Sequence, residues 1–341
     1  MKYYKGKWEK FAGSEDEWNT LVFNFDGNYR QTFKWGEYQK ENGWEIIRYQ
    51  FIDDKTKNVN FLVQLMVKKF LFVRAIYVPG GVSGNFSGFS NKFRDLIKSE
   101  FKFSLVYVRL DSSYEYDSDV ELMFTEDNWF RPKYTMNSRE SLYFDLEEDD
   151  LDIMPNKSKG WDRQLKRAKT RNTRIIFNTD ELREDEIKSV SQKMQQIKHI
   201  YLRDDPNQVI KIMKFFRDSI IFLYAVDDKN KMIGFRSCLF MNNIAWDFYA
   251  SSNDIGRKLE VGYLLLYEIV TECKKMGIKK FILPLPKKNI GDVEFKKRTG
   301  GKHYEYIGEW EYTNFRIIRY VLNAIIYSMY NLTIFKKLTK N

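Results

Sequence analysis

Side chains that bind transition metals are scarce in this sequence. The 341 residues include only two cysteines, Cys238 and Cys273, and two histidines, His199 and His303. Their positions show none of the close Cys and His spacings that zinc sites use, so we expect no metal centre. Two isolated cysteines are typical of a protein in a reducing cytoplasm.

Long apolar runs are also missing. The N-terminal stretch MKYYKGKWEKFAGSEDEW is charged and has no apolar core, so we expect no secretory signal and a protein that stays inside the cell. The most apolar long segment, 315–338, is interrupted by Arg319, Asn323 and Asn331, which disfavours a membrane span. It predicts an amphipathic helix ending in a basic tail. Two interpretations stay open: the helix packs on the protein's own core, or it lies peripherally on the anionic inner face of a membrane.

Proline is rare as well, with six residues, whereas Phe (27), Tyr (22) and Trp (8) are too numerous for a disordered chain. At this length, with 43% hydrophobic residues, the chain can form two domains with substantial cores. Lys and Arg number 57 against 47 Asp and Glu, a formal charge of +10. That surplus favours an anionic partner such as nucleic acid, a nucleotide-sugar or an acidic membrane, without choosing among them.

Apolar periodicity predicts an α/β fold in both halves of the chain. In the first half, strands are expected at 44–52, 59–67, 70–79 and 105–111, and helices at 90–101 and 119–126. In the second half, strands are expected at 221–226, 231–240, 245–250, 280–285 and 303–312, and helices at 184–201, 208–218 and 259–276. The similar order of elements suggests a duplicated α/β unit, although the sequence itself does not repeat.

Charge changes sign abruptly near the middle of the chain. The acidic run FDLEEDDLD at 144–152 is followed by the basic stretch KSKGWDRQLKRAKTRNTR at 157–174. We therefore predict one domain at 1–150, a second at 151–312, and an amphipathic basic helix and tail at 313–341.

The basic stretch carries three arginines at helical spacing. Arg163, Arg167 and Arg171 are four residues apart and would lie on one face of a helix. Such a face can bind the phosphates of an RNA or a nucleotide, or it can be a solvated face that balances the acidic run. A glycine-bearing turn before a helix, NDIGRKLEVG at 253–262, is a second candidate anion site, although such a turn is more often only a cap.

Five segments, in this order, resemble the FemABX family of non-ribosomal aminoacyl transferases, which extend the side chains of peptidoglycan precursors. They are YRQTFKWGEYQKENGW (29–44), FLFVRAIYVPGGVSG (70–84), VYVRLD (106–111), SLYFDL with WDRQLKRAKTR (141–146 and 161–171), and EFKKRTGG (294–301). The match covers nearly the whole chain. It implies two GNAT-like domains, each a mixed, mostly antiparallel sheet flanked by helices, without a long coiled-coil arm.

The resemblance implies roles on the acceptor side. Lys40 would contact the phosphates of a UDP-linked acceptor, and Arg203, in YLRDDP, would be a second phosphate ligand. Asp111 would lie beside the attacking amine, and Tyr77, in the second segment, would bind substrate. The attacking amine must be neutral, so a carboxylate such as Asp111 can orient it or accept its proton.

On the donor side, the resemblance implies that Lys296 faces the reacting carbonyl, with Phe295 packed behind it. Acyl transfer to an amine passes through a tetrahedral oxyanion, which a cation in a dry cleft stabilises. By composition alone, VEFKKRTGG is a loop with a basic rim.

Two departures from the family pattern leave the donor open. The strand before the Phe-Lys pair usually ends in Asp-Phe-Gly-Gly, whereas here it ends LPLP (283–286). The region 183–218 predicts two short helices where some members insert a long helical hairpin that binds tRNA. The donor is therefore either an aminoacyl-tRNA or an acyl-CoA or acyl-carrier thioester, and no tightly bound cofactor is expected.

These observations lead to one main hypothesis and two alternatives. We expect a cytoplasmic transferase that places an aminoacyl or acyl group on an amine of a UDP- or lipid-linked cell-envelope glycan precursor, without a DNA partner. A thioester-dependent enzyme acting on an amino sugar of O-antigen or capsule is the first alternative. The second is a non-catalytic protein whose basic helix and tail hold RNA or an anionic membrane.

Overall fold

The structure, a computed structural model, describes residues 5–84, 88–147, 152–171, 173–177, 182–198, 205–287 and 290–338. The chain divides into two compact units. Unit 1 contains Met1–Arg139 and Glu305–Asn341, and unit 2 contains Glu140–Tyr304. The bounds differ from the predicted domains, because the first unit ends earlier and takes up the C-terminal residues again.

Strands and helices occur in both halves of the chain, as the apolar periodicity predicts. The strands are β1 (Gly6–Lys10), β2 (Glu45–Asp53), β3 (Val59–Phe70), β4 (Val73–Gly80), β5 (Ser83–Gly84), β6 (Leu105–Glu115), β7 (Glu140–Asp145), β8 (Arg174–Phe177), β9 (Ile220–Val226), β10 (Met232–Met241), β11 (Ile244–Ser252), β12 (Lys280–Pro284) and β13 (Lys302–Thr313). The helices are α1 (Glu15–Asn24), α2 (Phe33–Glu41), α3 (Phe89–Glu100), α4 (Ser118–Glu126), α5 (Lys159–Thr170), α6 (Glu184–Lys198), α7 (Pro206–Phe215), α8 (Asp254–Lys258), α9 (Val261–Lys275), α10 (Ile290–Lys297) and α11 (Arg316–Leu338).

Several helices begin where the sequence offers a cap. Ser14 accepts the N–H of Glu17, and the Glu17 carboxylate accepts the N–H of Ser14, a capping box that starts α1. Thr32 and Ser158 accept a backbone N–H at the starts of α2 and α5. Each such cap stabilises its helix by about 1 kcal/mol.

The sheet of unit 1 has one parallel pair among antiparallel ones. The strands β1, β2, β3 and β4 pair in this order as antiparallel neighbours. Next to them, β4 pairs parallel with β6, and β6 pairs antiparallel with β13. The last strand of this sheet therefore comes from the far end of the chain.

The sheet of unit 2 repeats the same sequence of pairings. The strands β8, β9, β10 and β11 pair antiparallel in this order, β11 pairs parallel with β12, and β12 pairs antiparallel with β7. The duplicated α/β unit inferred from element order is thus confirmed as a mixed, mostly antiparallel sheet with helices in each unit.

Aromatic rings fill the core of unit 1. Phe89 and Phe93 stack at 5.0 Å between ring centroids, Phe93 stacks on Trp129 at 5.8 Å, and Phe124 stacks on Trp310 at 4.9 Å. All five side chains are buried. Truncating one such ring to alanine costs about 3–5 kcal/mol, so these contacts hold the helices of the unit on its sheet.

Aliphatic side chains dominate the core of unit 2. Helix α9 turns Leu265, Leu266 and Ile269 toward the sheet, where they pack with Phe281 of β12. Cys238 and Cys273 are both buried and reduced in this core, 3.6 Å apart between sulfur atoms. They act there as small apolar side chains.

Two segments differ from their predicted structure. FKKRTGG, expected as a loop, begins inside helix α10, which carries Lys296. The strand expected at 70–79 begins at Val73, because Phe70 ends β3 and Leu71 turns the chain with a left-handed φ of 51°. Across the described residues, no helix is long and apolar enough to cross a bilayer.

Candidate active site

A glycine turn fixes the backbone beside Asp111 in unit 1. Strand register places Pro79 of β4 next to Asp111 of β6, and Glu309 of β13 on its other side. Gly80 and Gly81 follow with φ values of 79° and 80°, which favour glycine. A Cβ on Gly81 would lie 2.9 Å from the Cα of Ser112, so any side chain there would push this edge of the sheet apart.

Three donors converge on one oxygen of the Asp111 carboxylate. Its Oδ2 accepts hydrogen bonds from Asn137 Nδ2 at 2.8 Å, from Arg30 Nη1 at 3.2 Å and from the Tyr77 hydroxyl at 3.3 Å. Burial, followed by the charge of Asp111, raises the pKa of Tyr77 above its ordinary value, so the phenol keeps its proton. Of the predicted residues, Asp111 and Tyr77 are thus brought together.

A second buried carboxylate, Glu309, lies directly across the β6–β13 pair from Asp111. Its Oε2 accepts from Arg109 Nη1 at 2.8 Å, and its Oε1 accepts from the backbone N–H groups of Met136 and Asn137 at 2.6 Å each. Burial and the charge of Asp111 raise the pKa of Glu309 to about 7, against the opposing charge of Arg109. A carboxyl group with this pKa can exchange a proton at neutral pH.

The segment that carries Arg30 is fixed by two buried glutamines. Gln31 Oε1 accepts the backbone N–H of Gln64 at 2.7 Å, and its Nε2 donates to the carbonyl of Pro79 at 2.7 Å. The Gln64 side chain in turn donates to the carbonyl of Thr32. Gln31 thus joins the start of α2 to strands β3 and β4. This role explains structurally why a glutamine occupies this position in the segment 29–44.

Lys40 lies on helix α2 as a partly exposed cation. Its ammonium pairs with Glu37 at 2.9 Å, and Glu37 also accepts from the buried guanidinium of Arg48 at 3.0 Å. Burial lowers the pKa of Arg48, and its attraction to Glu37 opposes that change. Among the described residues, no contact connects Lys40 with Asp111 or with the side chains around it. Arg203 lies outside the described residues.

Lys296 is largely buried in unit 2 and its ammonium is anchored at two points. Nζ donates to Asp247 Oδ2 at 3.0 Å and to the carbonyl of Pro284 at 2.7 Å. Asp247 Oδ1 accepts from Arg236 Nε at 2.8 Å, so one buried carboxylate serves two cations. Burial lowers the pKa of Lys296, whereas the charge of Asp247 raises it.

The strand end LPLP supplies one of these anchors. Pro284 closes β12, and its carbonyl accepts the hydrogen bond from Lys296. The departure from the Asp-Phe-Gly-Gly pattern thus coincides with a backbone acceptor that turns the lysine toward the strand end.

Phe295, the neighbour of Lys296 on α10, packs among aromatic rings. Its ring lies 5.0 Å from that of Tyr263 and 6.3 Å from that of Trp161, both edge-on or tilted. Burial also raises the pKa of Tyr263 above its ordinary value. These three rings hold α10 against helices α5 and α9 and limit the positions open to Lys296.

Only two of the three arginines predicted to form one helix face lie on helix α5. Arg163 and Arg167 are exposed on α5, but Arg171 caps the helix end in an extended conformation. Its guanidinium donates to the carbonyl of Lys258 and lies 3.4 Å from the Glu260 carboxylate. The third arginine is therefore turned toward the start of α9.

The glycine turn before α9 is explained by packing. A Cβ on Gly256 would lie 2.2 Å from the carbonyl oxygen of Ile233, so α8 can approach β10 only with glycine there. Glu260 is the N-cap of α9, with a φ of 61°, and its carboxylate makes no capping hydrogen bond but lies 3.4 Å from the Arg171 guanidinium.

The sequence analysis does not predict four residues of these sites: Arg30, Glu309, Asp247 and Arg236. Three of them lie inside apolar strands, where a charged residue that faces inward is the available signal. That signal indicates that the charged side chain is buried, but it does not identify the group that pairs with it. The pairing group is brought in by strand pairing or by a helix distant in sequence.

No family model matches the sequence, and no curated protein matches it significantly. Solved structures do match the fold, and they include a tandem GNAT protein from the clavulanic acid biosynthesis pathway, with a TM-score of 0.53 and 10% identity over 91% of this chain and 98% of that one. The chain thus has a tandem GNAT fold.

Within that class, the structure is most informatively compared with FemX. The crystal structure of FemX aligns with a TM-score of 0.75 and 14% identity, covering 92% of this chain and all of FemX. L-PGS from Bacillus licheniformis aligns with a TM-score of 0.55 and 12% identity, over 92% and 97% of the two chains. The resemblance to FemABX proteins inferred from the five segments is confirmed at the level of the fold.

Proposed function

We propose that the protein is an N-acyltransferase that moves an aminoacyl or acyl group onto an amine of a cell-envelope glycan precursor. The observation that carries this proposal is the anchored ammonium of Lys296. Among the described residues, two of its three N–H donors have acceptors, Asp247 and the Pro284 carbonyl, which leaves one donor for a substrate oxygen.

In this reaction the amine nitrogen attacks the carbonyl carbon of the donor, and the carbonyl oxygen becomes an oxyanion. The third N–H of Lys296 would donate to that oxygen. A preorganised donor of this kind lowers the barrier by about 3 kcal/mol. Because Asp247 and Pro284 already fix the ammonium, little reorganisation accompanies the reaction.

The attacking amine loses a proton as the new C–N bond forms. Within unit 1, the Glu309 carboxylate, with its pKa of about 7, has the basicity to accept such a proton, and the neighbouring Asp111 carboxylate has the charge to hold an amine. Asn137 connects the two groups, since its amide donates to Asp111 and its backbone N–H donates to Glu309. The C–O or C–S bond to the donor then breaks, and the departing oxygen or sulfur takes up a proton.

For the acceptor we propose a UDP- or lipid-linked sugar precursor. Lys40 and Arg203 would bind its phosphates, as the resemblance implies, and the formal charge of +10 favours such an anion. The resemblance of the five segments to the FemABX family supports an acceptor from the cell envelope, and FemX shares the fold.

For the donor we favour an aminoacyl-tRNA, which Arg163 and Arg167 on α5 would help to hold through its phosphates. The thioester alternative remains the second candidate, because the strand before Lys296 ends LPLP and the chain shares the tandem GNAT fold.

A donor competition experiment tests the proposal. The purified protein is titrated into fluorescent aminoacylated tRNA and then challenged with unlabelled aminoacylated tRNA, with uncharged tRNA and with acetyl-CoA. We expect binding that charged tRNA displaces and that acetyl-CoA leaves unchanged. Displacement by acetyl-CoA would assign a thioester donor, and binding of neither donor would favour a non-catalytic protein.

A further inference from the structure

Helix α11 in unit 1 has its polar and apolar faces in an unusual arrangement. Between Ile317 and Ser328, its charged and amide side chains are Arg319 and Asn323. Both turn inward, where Arg319 Nε and Asn323 Nδ2 donate to the buried carboxylate of Glu311, the latter at 2.8 Å. The Tyr107 hydroxyl also donates to this carboxylate, at 2.9 Å.

The outward face of α11 is correspondingly apolar. Tyr320 is 69% exposed and Ile317 is 61% exposed, and Val321, Ile325 and Tyr327 are exposed beside them. A helix of a water-exposed surface normally places polar residues outward. The Tyr327 ring lies 4.4 Å from that of Tyr134, and the described residues leave the rest of this apolar face exposed.

The same apolar character continues at the adjoining edge of the sheet in unit 1. Register places the start of β4 beside the start of β6, and the end of β13 on the other side of β6. The carbonyl of Phe72 accepts the N–H of Leu105 at 3.0 Å, and Asn314 bonds to both Ser104 and Val106 at 2.8 Å. Three turns thus lie side by side at this edge.

Each of these turns presents a large apolar side chain to solvent. In the β3–β4 turn, Leu71 is 83% exposed and Phe72 is also exposed, and in the turn before β6, Phe103 is 93% exposed. Phe315 is exposed in the turn before α11. We define these four residues, together with the outward face of α11, as the apolar edge.

The three turns of the apolar edge contain basic residues and no acidic residue. The turns read KKFLFV at 68–73, FKFS at 101–104 and TNFRI at 313–317, which include Lys68, Lys69, Lys102 and Arg316 and no Asp or Glu. Lys68 lies 4.6 Å above the Trp44 ring and Lys102 lies 5.5 Å from that of Phe103. The aliphatic stems of such lysines can lie along apolar surface while their ammonium groups stay in water.

We propose that the apolar edge docks on an anionic lipid bilayer. Exposed aromatic and aliphatic tips would enter the interfacial layer, and the lysines and Arg316 would pair with lipid phosphates, each contributing to attraction at the negatively charged surface. A second copy of the chain would meet the same cations on the same edge and be repelled, so charge favours lipid over self-association. This inference does not depend on the proposed transferase activity.

Vesicle cosedimentation of the full chain tests the proposal. Wild-type protein is mixed with phosphatidylcholine vesicles with and without phosphatidylglycerol. We expect binding to the anionic vesicles that weakens as salt is raised, and little binding to the neutral ones. The double variants Phe72→Ser with Phe103→Ser, and Ile317→Ser with Val321→Ser, should each lower the partition coefficient about tenfold or more.

Leu122, 57% exposed on α4 of the same unit, provides the matched control. Leu122→Ser should leave vesicle binding unchanged. The proposal is overturned if wild-type protein stays in solution with anionic vesicles, or if Leu122→Ser weakens binding as much as the edge variants. It is also overturned if ultracentrifugation shows a dimer that Ile317→Ser with Val321→Ser disperses and no vesicle binding is seen.

Discussion

The two units share one strand topology but differ in the charges that they bury. In unit 2, the single carboxylate of Asp247 lies between two cations, Arg236 and Lys296. In unit 1, two carboxylates, Asp111 and Glu309, face each other across a strand pair, and each has one arginine. The first arrangement leaves a net positive charge and the second adds a proton acceptor.

This difference shows how one duplicated fold can bury two different arrangements of charge. A positive group suits the oxygen of a carbonyl that gains negative charge, and a carboxylate pair suits an amine that loses a proton. The scaffold fixes where strands and turns lie, whereas a few inward-facing residues on them decide which charge the site favours. The following predictions test each arrangement separately.

The largest effect is expected at Lys296. Lys296→Met removes the proposed donor to the oxyanion and should lower kcat about 100-fold or more, whereas Lys296→Arg should retain part of it. Single-turnover transfer from the bound donor measures this. Lys297→Met, on the exposed side of α10, is the matched control and should behave as wild type. Equal rates for wild type and Lys296→Met would remove the lysine from the chemistry.

The carboxylate pair should give the next largest effect. Glu309→Gln keeps the shape of the side chain but cannot accept a proton, so kcat should fall about 10–100-fold. The wild-type rate should rise with pH through the Glu309 pKa of about 7, and that rise should disappear in the variant. If the variant keeps the same pH–rate profile, another group must accept the proton.

Anchoring of the lysine by Asp247 should matter less than the lysine itself. Asp247→Asn weakens one of the two anchors, so we expect kcat to fall about tenfold while the KM for the acceptor is unchanged. Asp247→Glu should restore part of the rate, because it restores a carboxylate. A rise in KM without a fall in kcat would instead indicate that Asp247 supports substrate binding.

Glu309 should also leave a signature in stability. The folded protein holds the Glu309 proton more tightly than the unfolded chain, whose glutamate has a pKa near 4.5. Its contribution is therefore present below that pH and is lost as pH rises through about 7, on the order of 2 kcal/mol. Denaturant unfolding at about pH 5 and about pH 8 measures the change.

In Glu309→Gln this stability difference should shrink relative to wild type. An exposed glutamate of unit 2, Glu294, serves as the comparison, and Glu294→Gln should leave the difference intact. An unchanged pH dependence in Glu309→Gln would show that the buried carboxyl keeps an ordinary pKa.

The smallest effect is expected at Lys40, which is partly exposed and already paired with Glu37. Lys40→Ala should raise the KM for a phosphate-bearing acceptor about 3–10-fold and leave kcat unchanged, because exposed ion pairs contribute little. Raising the salt concentration should reduce the difference between variant and wild type. An acceptor analogue without phosphates should show no difference at all.

The sequence predicts most of the regular elements, because their apolar periodicity is strong. The helix at 90–101 and the strand at 105–111 lie within a few residues of α3 and β6. Asp111, Tyr77, Lys296 and Phe295 also came from sequence, but through resemblance to a family and not from local chemistry. In the structure, the Tyr77 hydroxyl donates a hydrogen bond to Asp111. Phe295 precedes Lys296 on α10, and its ring packs against that of Tyr263.

Glu309, Asp247 and Arg236 could not be assigned in this way. Each lies in a strand. Its partner lies on a neighbouring strand or on a helix, and the local sequence pattern does not show which strand or helix that is. The unit boundary was missed for a similar reason, since nothing in 303–312 shows that this strand pairs with β6. Long-range pairing is the information that a single sequence lacks.

The position of β13 has a consequence for biosynthesis. Unit 2 is one continuous stretch, whereas the sheet of unit 1 is incomplete until Glu305 and the residues after it are made. At typical translation rates, about 10–30 s pass between synthesis of Arg139 and of Glu305. During that interval β6 has β4 on one side but lacks β13 on the other, and Asp111 lacks Glu309. The later half of the nascent chain can therefore fold before the earlier half is complete, and a chain that terminates before β13 never acquires the carboxylate pair.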